Sequence, residues 1–213
     1  MAVLTKICGL STPETVDAAL AGGAAYLGFM LFPKSPRAVT PRQAGALAAP
    51  ARGRAKVVAV MVDPEDEAVM DAVSLLRPDF IQLHGSESPR RTAEVAALSA
   101  ARIIRALPVS SGADLDAALA YERAADHLMF DAAPPKDADR TGGHGTAFDW
   151  SLLAGRSFAK PWLLAGGLNP ENVGAAIRQS GAPIVDVSSG VESAPGVKDV
   201  GKIAAFLEAV RRL

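Results

Sequence analysis

Cys8 is the only cysteine in 213 residues, and it ends the apolar run AVLTKIC just before a glycine. A thiol without a partner cannot close an intrachain disulfide, so it is either a small buried hydrophobe or a reactive group. Other residues that can carry protons or bind charge stand in comparable places. Lys6, Gln82, His84, Asp131, Asp186 and Ser188 all interrupt runs of Val, Ile, Leu and Phe. Gly166 with Gly167, and Ser189 with Gly190, follow two further apolar runs, WLLA and IVDVS. Backbone N–H groups bared by such turns can gather an anion, and a phosphate suits them. Arg37 ends the segment FPKSPR, where prolines stiffen the chain and the guanidinium offers a planar fork for a carboxylate.

Those residues need elements to hold them, and the hydrophobic pattern supplies eight strand-then-helix units. The spacing predicts strands at 3–8, 26–30, 57–62, 80–84, 102–107, 127–131, 162–165 and 184–188. Helices are predicted over 12–21, 41–49, 65–76, 89–98, 113–122, 149–153, 169–179 and 199–211. Strict alternation implies a parallel sheet, because parallel neighbours require a crossover. Eight units at this length point to an α/β fold, a single-domain (β/α)8 TIM barrel spanning residues 1–213, with an open doubly wound sheet as the structural alternative.

Parallel strands covered on both faces should be nearly all apolar, so their polar residues carry information. Lys6 and Cys8, Gln82 and His84, and Asp186 and Ser188 each keep one parity, which sends both members of a pair to the same side. Most fall at C-terminal strand ends, the barrel rim that carries chemistry. Each has a bland explanation as a core or capping residue; sharing one rim argues for function. The loops after strands seven and eight are the usual phosphate position of a barrel, which makes Gly166, Gly167, Ser188, Ser189 and Gly190 the candidate donors. Gly142, Gly143 and Gly145 in RTGGHGTAFDW give the loop after Asp131 freedom to close over a ligand, with Phe148 and Trp150 as its anchors.

Composition excludes several classes. Twenty-two basic against 23 acidic residues leave a net charge of -1, which gives no footing for sequence-independent nucleic-acid binding or for a charged membrane surface. No apolar run reaches membrane-spanning length, the N-terminus lacks a cleavable signal pattern, and there are no cysteine pairs, so a cytoplasmic protein is expected. The three histidines show no metal-ligand spacing, and no metal is expected.

Together the segments KICGL (6–10), FPKSPR (32–37), QLHG (82–85), FD (130–131), GGHGTAFDW (142–150), LAGGLNPENV (164–173) and VDVSSGVESAPGVKD (185–199) make the chain resemble the phosphoribosylanthranilate isomerases of tryptophan biosynthesis. That resemblance implies a cofactor-independent Amadori rearrangement of N-(5-phosphoribosyl)anthranilate to 1-(2-carboxyphenylamino)-1-deoxyribulose 5-phosphate. It further implies Cys8 as general base, Asp131 as general acid, Arg37 on the anthranilate carboxylate, and the glycine turns on the phosphate. His84 and Asp186 are expected to touch substrate or to support the acid and base. The expected partner is this small phosphosugar, with a monomer or homodimer as the assembly. His144 departs from the small or hydroxyl residue usual in the family's loop.

Two rivals weigh against this. An aminoaldose isomerase of histidine biosynthesis would need carboxylates on strands one and five, and RIIRAL offers none. A noncatalytic phosphate sensor would keep the glycine turns without needing both Cys8 and Asp131.

Overall fold

The computed structural model describes residues 2–133 and 148–213. Eight parallel strands close on themselves in sequence order: β1 (Leu4–Cys8), β2 (Tyr26–Met30), β3 (Lys56–Met61), β4 (Phe80–Leu83), β5 (Arg102–Val109), β6 (His127–Ala132), β7 (Trp162–Leu164) and β8 (Ile184–Val187). Closure is made by β8 against β1, with Leu4 beside Ile184 and Lys6 beside Asp186. The open sheet is thereby excluded.

Alternation along the strands divides the core in two. Ile7, Leu27, Phe29, Val57, Ala59, Ile81, Leu83, Phe130 and Val185 face outward beneath the helices. Cys8, Tyr26, Val58, Val60, Phe80, Ile104, Ala106, Met129, Leu163, Ala165 and Ile184 fill the barrel interior. Lys6, Gln82, His84, Asp131, Asp186 and Ser188 share the parity of the interior set, so every polar strand residue singled out above belongs to the inside.

The outer layer contains α1 (Pro13–Ala21), α2 (Pro41–Ala48), α3 (Asp66–Asp71), α4 (Pro89–Ser99), α5 (Gly112–Ala118), α6 (Val173–Ser180) and α7 (Val200–Arg211). Thr12, Thr40 and Ser88 cap the first, second and fourth of these, each followed by proline at the first helical position. Phe206 and Leu207 of α7 are buried, and burial of a side chain of that size contributes about 1.5–3 kcal/mol.

Several boundaries differ from expectation for local reasons. The helix expected over 149–153 is one 3-10 turn, Trp150–Leu153, because Asp149 caps it and so short a segment cannot repay helix nucleation. That expected over 169–179 begins only at Val173, since the Asn169 carboxamide takes the amides of Glu171 and Asn172 in a turn. The third helix ends at Asp71 and widens into a π turn, Ala72–Leu76, stopped by Arg77 in a left-handed conformation. α5 tightens into a 3-10 turn at Leu119–Tyr121. The sequence reading missed a small hairpin, β9 (Glu192–Ala194) with β10 (Val197–Lys198), between β8 and α7. Pro195 and Gly196 turn it, with Gly196 at φ 82°.

Candidate active site

Cys8 ends β1 and is 5 % exposed. Two residues earlier Lys6 is completely buried, and its Nζ donates to Asp186 Oδ1 at 2.7 Å. Across the strand pair stands Gly28. A Cβ there would lie 3.0 Å from Cys8 Sγ and 3.1 Å from Lys6 Nζ, so the sulfur and the ammonium converge on space that only glycine leaves open. Burial pushes the Cys8 thiol up, Lys6 pulls it back, and Asp186 pushes it up again, for a net rise. For Lys6, burial works against the charge, but Asp186 and Cys8 outweigh it and the ammonium is held above its ordinary value.

Asp131 sits near the C-terminal end of β6, with its Oδ1 accepting from the Ala132 amide at 2.9 Å. Its Oδ2 is 3.1 Å from His84 Nε2, and His84 Nδ1 is 2.8 Å from Gln82 Nε2. These side chains form a line from β4 to β6. His84, Gly85, Ala106, Leu107, Pro108, Asp131 and Ala132 line a cleft at this rim. Behind it, Arg105 bonds Glu87 at 2.9 Å and the carbonyls of Leu83 and Gly85, while Glu87 takes the amides of Asp63 and Gly85. This outward-facing pair fixes the turn that carries His84.

The two glycine turns meet. Gly166 has φ 89°, and a Cβ on it would fall 2.5 Å from the Ala132 nitrogen and 3.0 Å from Asp131 Oδ1. Gly190 packs so closely on the other turn that a Cβ would lie 1.9 Å from the Leu168 carbonyl oxygen. Both residues are therefore restricted to glycine by close approach. Among the described residues, the amides of Gly166, Gly167, Ser189 and Gly190 have no hydrogen-bond partner. No long helix begins at either turn: α6 starts at Val173, and Ser189–Val191 is a single 3-10 turn. An anion here would rest on convergent amides with little help from a helix dipole. Ser188 differs from its neighbours, because its hydroxyl donates to the Cys8 carbonyl at 3.2 Å.

Arg37 lies over the residue after Cys8: a Cβ on Gly9 would touch its Cδ at 2.7 Å. The guanidinium is buried and forks onto Glu192, Nε to Oε1 at 2.6 Å and Nη2 to Oε2 at 2.9 Å. Lys198 Nζ also reaches Glu192 Oε1 at 2.6 Å, and donates to Ser188 O at 2.9 Å. Glu192 and Lys198 were not identified from sequence. Both lie inside the motif VDVSSGVESAPGVKD, and the Pro-Gly turn at 195–196 within it reads as a hairpin.

Cys8, Asp131, Arg37, His84 and the glycine turns thus lie at the C-terminal end of one barrel. Asp186 faces Lys6 from within that barrel and is engaged by it. Gly142, Gly143, His144 and Gly145 lie outside the described residues, whereas Phe148 and Trp150 pack on the outer core. No group of three His, Cys, Asp or Glu placed to hold a metal exists among the described residues. Nor is any described helix long and apolar enough to cross a membrane.

Residues 5–209 match the family model for N-(5'-phosphoribosyl)anthranilate (PRA) isomerase. A protein of that name from Caulobacter vibrioides is 56% identical over 208 residues, covering 97% of this chain and 95% of the relative. One from Paracoccus denitrificans is 55% identical over 97% of this chain and 96% of its own length. The crystal structure of phosphoribosyl anthranilate isomerase from Thermotoga maritima superposes with a TM-score of 0.88 at 34% identity, covering 99% of this chain and 100% of the other. A phosphoribosyl anthranilate isomerase in complex with reduced 1-(o-carboxyphenylamino)-1-deoxyribulose 5-phosphate superposes with a TM-score of 0.83 at 32% identity, over 99% of this chain and all of the other.

Proposed function

The chain belongs to the N-(5'-phosphoribosyl)anthranilate isomerase family, and from that membership we infer how its own residues divide the work. The protein is an isomerase of tryptophan biosynthesis that converts N-(5-phosphoribosyl)anthranilate to 1-(2-carboxyphenylamino)-1-deoxyribulose 5-phosphate. The observation that carries the division of roles is the placement of Cys8 and Asp131 at the C-terminal ends of two strands of one barrel, beside two turns with unpartnered amides.

Asp131 gives a proton to the furanose ring oxygen as the C1–O bond breaks, and the nitrogen lone pair forms the protonated imine. Cys8 as thiolate removes the C2 proton, and the electrons of that bond move into an enolamine. Tautomerisation moves the C2 hydroxyl proton off and adds one at C1, giving the ketone with no net loss of protons or electrons. Ring opening is general acid catalysis at Asp131, and C2 proton removal is general base catalysis at Cys8.

The line from Gln82 through His84 to Asp131 has two settings. When Gln82 Nε2 donates to His84 Nδ1, the ring carries its proton on Nε2 and Asp131 accepts. Gln82 Oε1 is buried without a partner in that setting. Turning the amide over makes Oε1 accept from Nδ1–H, and the proton shared with Nε2 then belongs to Asp131. The second setting is the one in which Asp131 can act as acid; once it has given up its proton the ring still carries its own on Nδ1, and return to the first setting requires that proton to move to Nε2 and the Gln82 amide to turn back.

The amides of Gly166, Gly167, Ser189 and Gly190 hold the phosphate in this reading, with Ser188 supporting the strand that carries Cys8. Arg37 receives the anthranilate carboxylate. Residues 1–213 act as one barrel domain in the cytoplasm, as a monomer or homodimer; one neighbour is described as monomers made from a dimeric enzyme of Thermotoga maritima. The histidine-branch alternative requires a carboxylate on β5, where the interior positions are Ile104, Ala106 and Pro108. Loss of anthranilate-type fluorescence from freshly made phosphoribosylanthranilate tests the assignment. Turnover is expected, with no turnover of the histidine-branch aminoaldose; the reverse preference would overturn it.

A further inference from the structure

We propose that Glu192 is a positioning residue for recognition of the substrate's aryl carboxylate, holding Arg37 by one edge so that the guanidinium presents its other edge to the ligand. This rests on the reading that Arg37 meets that carboxylate. A guanidinium has two edges that can fork a carboxylate, one made by Nε with Nη2 and one by Nη1 with Nη2. Glu192 occupies the first edge completely, at 2.6 and 2.9 Å. Among the described residues Nη1 donates no hydrogen bond, so none of them occupies the second edge.

The clamp is itself clamped. Lys198 holds Glu192 Oε1 at 2.6 Å, and the Gly196 amide donates to Glu192 Oε2 at 3.2 Å. Lys202 holds the Glu192 carbonyl at 2.7 Å, tying the β9–β10 hairpin to α7. Arg37, Glu192 and Lys198 are all buried. Two cations against one carboxylate leave this cluster one negative charge short, and the aryl carboxylate would supply it. Lys198 further donates to Ser188 O at 2.9 Å, and the Ser188 hydroxyl reaches the Cys8 carbonyl. A carboxylate seated on Arg37 is thereby registered against the strand end that carries the base. Both ionic partners of Glu192 lower its carboxyl, against the opposing effect of burial, so it stays ionised through the working range.

Two substrates separate this role from a purely structural one: phosphoribosylanthranilate, and phosphoribosylaniline, which lacks the carboxylate. Glu192→Gln is expected to raise KM for the anthranilate substrate about tenfold or more, with kcat and the aniline kinetics changed no more than about twofold. Glu192→Asp, which keeps the charge on a shorter stem, is expected to recover part of the loss. Arg37→Ala should abolish the preference between the two substrates. Equal losses with both substrates in Glu192→Gln, or an unchanged or lowered KM for the anthranilate substrate, would overturn the proposal. A preference that survives Arg37→Ala would instead overturn the reading of Arg37. Should Glu192→Gln fail to fold, Glu192→Asp alone serves in its place: an unchanged KM for the anthranilate substrate, or equal losses with both substrates, would overturn the clamp.

Discussion

His84 Nε2 stands 3.1 Å from Asp131 Oδ2, and Gln82 holds the opposite ring nitrogen at 2.8 Å. The acid is thus joined to a group that can both take and return its proton, on a neighbouring part of the rim. If that line controls which oxygen or nitrogen carries the proton, its removal should slow chemistry more than binding. His84→Ala is expected to lower kcat about 10- to 100-fold while KM moves no more than about threefold. Steady-state kinetics decide it: a rise in KM with kcat preserved would make His84 a substrate contact only.

Lys6 and Cys8 predict a pH effect. Burial holds the thiol high, and Lys6 is what restrains it. Activity of the free enzyme should therefore rise with pH as thiolate forms, and in Lys6→Met that rise should move to higher pH. The pH profile of kcat/KM measures it, and a shift to lower pH would contradict the role of the ammonium. Lys6→Met also leaves Asp186 buried without its partner, at a cost of about 3–5 kcal/mol. Adding Asp186→Leu should recover much of that stability in urea unfolding.

At the other end of the barrel, His127 packs between Tyr26 and Phe80, with ring centroids 6.4 and 4.9 Å away. Burial pulls its imidazole below the ordinary value, and Arg102 adds to the effect. The unfolded chain therefore takes up a proton before the folded one. The stability that neutral His127 contributes is complete above about pH 6.5 and declines as pH falls below it. Tm measured from pH 8 to pH 5 should fall more steeply for the natural protein than for His127→Phe. Parallel curves would show that the ring gains no proton on unfolding.

Gly190 tests the anion cradle. Alanine there would place Cβ against the Leu168 carbonyl and force the two turns apart. Gly190→Ala is expected to weaken competitive inhibition by inorganic phosphate about tenfold or more, and to raise KM for the substrate in parallel. Unchanged phosphate inhibition would move the anion elsewhere on the rim.

Much of this site was legible in the sequence because a parallel strand makes polar residues conspicuous. Lys6, Cys8, Gln82, His84, Asp131, Asp186 and Ser188 stood out by type, and period-two geometry put the two members of each strand's pair on one side; that the pairs share the barrel interior needed the closed sheet. Glu192 was not legible in the same way. Its meaning comes from Arg37, 155 residues distant in the chain, and from a two-strand hairpin too short to leave a periodic trace. Helix boundaries failed where side chains compete with the backbone: the Asn169 turn delays α6, and Asp149 caps a single turn instead of starting a helix. Conversely, barrel closure needed coordinates, since only the pairing of β8 with β1 distinguishes it from an open sheet.

The most direct test concerns the two groups assigned to proton transfer. Cys8→Ser and Asp131→Asn, each purified and shown folded by circular dichroism, should lose about two or more orders of magnitude in kcat on freshly prepared phosphoribosylanthranilate. A variant of either residue that keeps near-normal kcat would remove that residue from the mechanism.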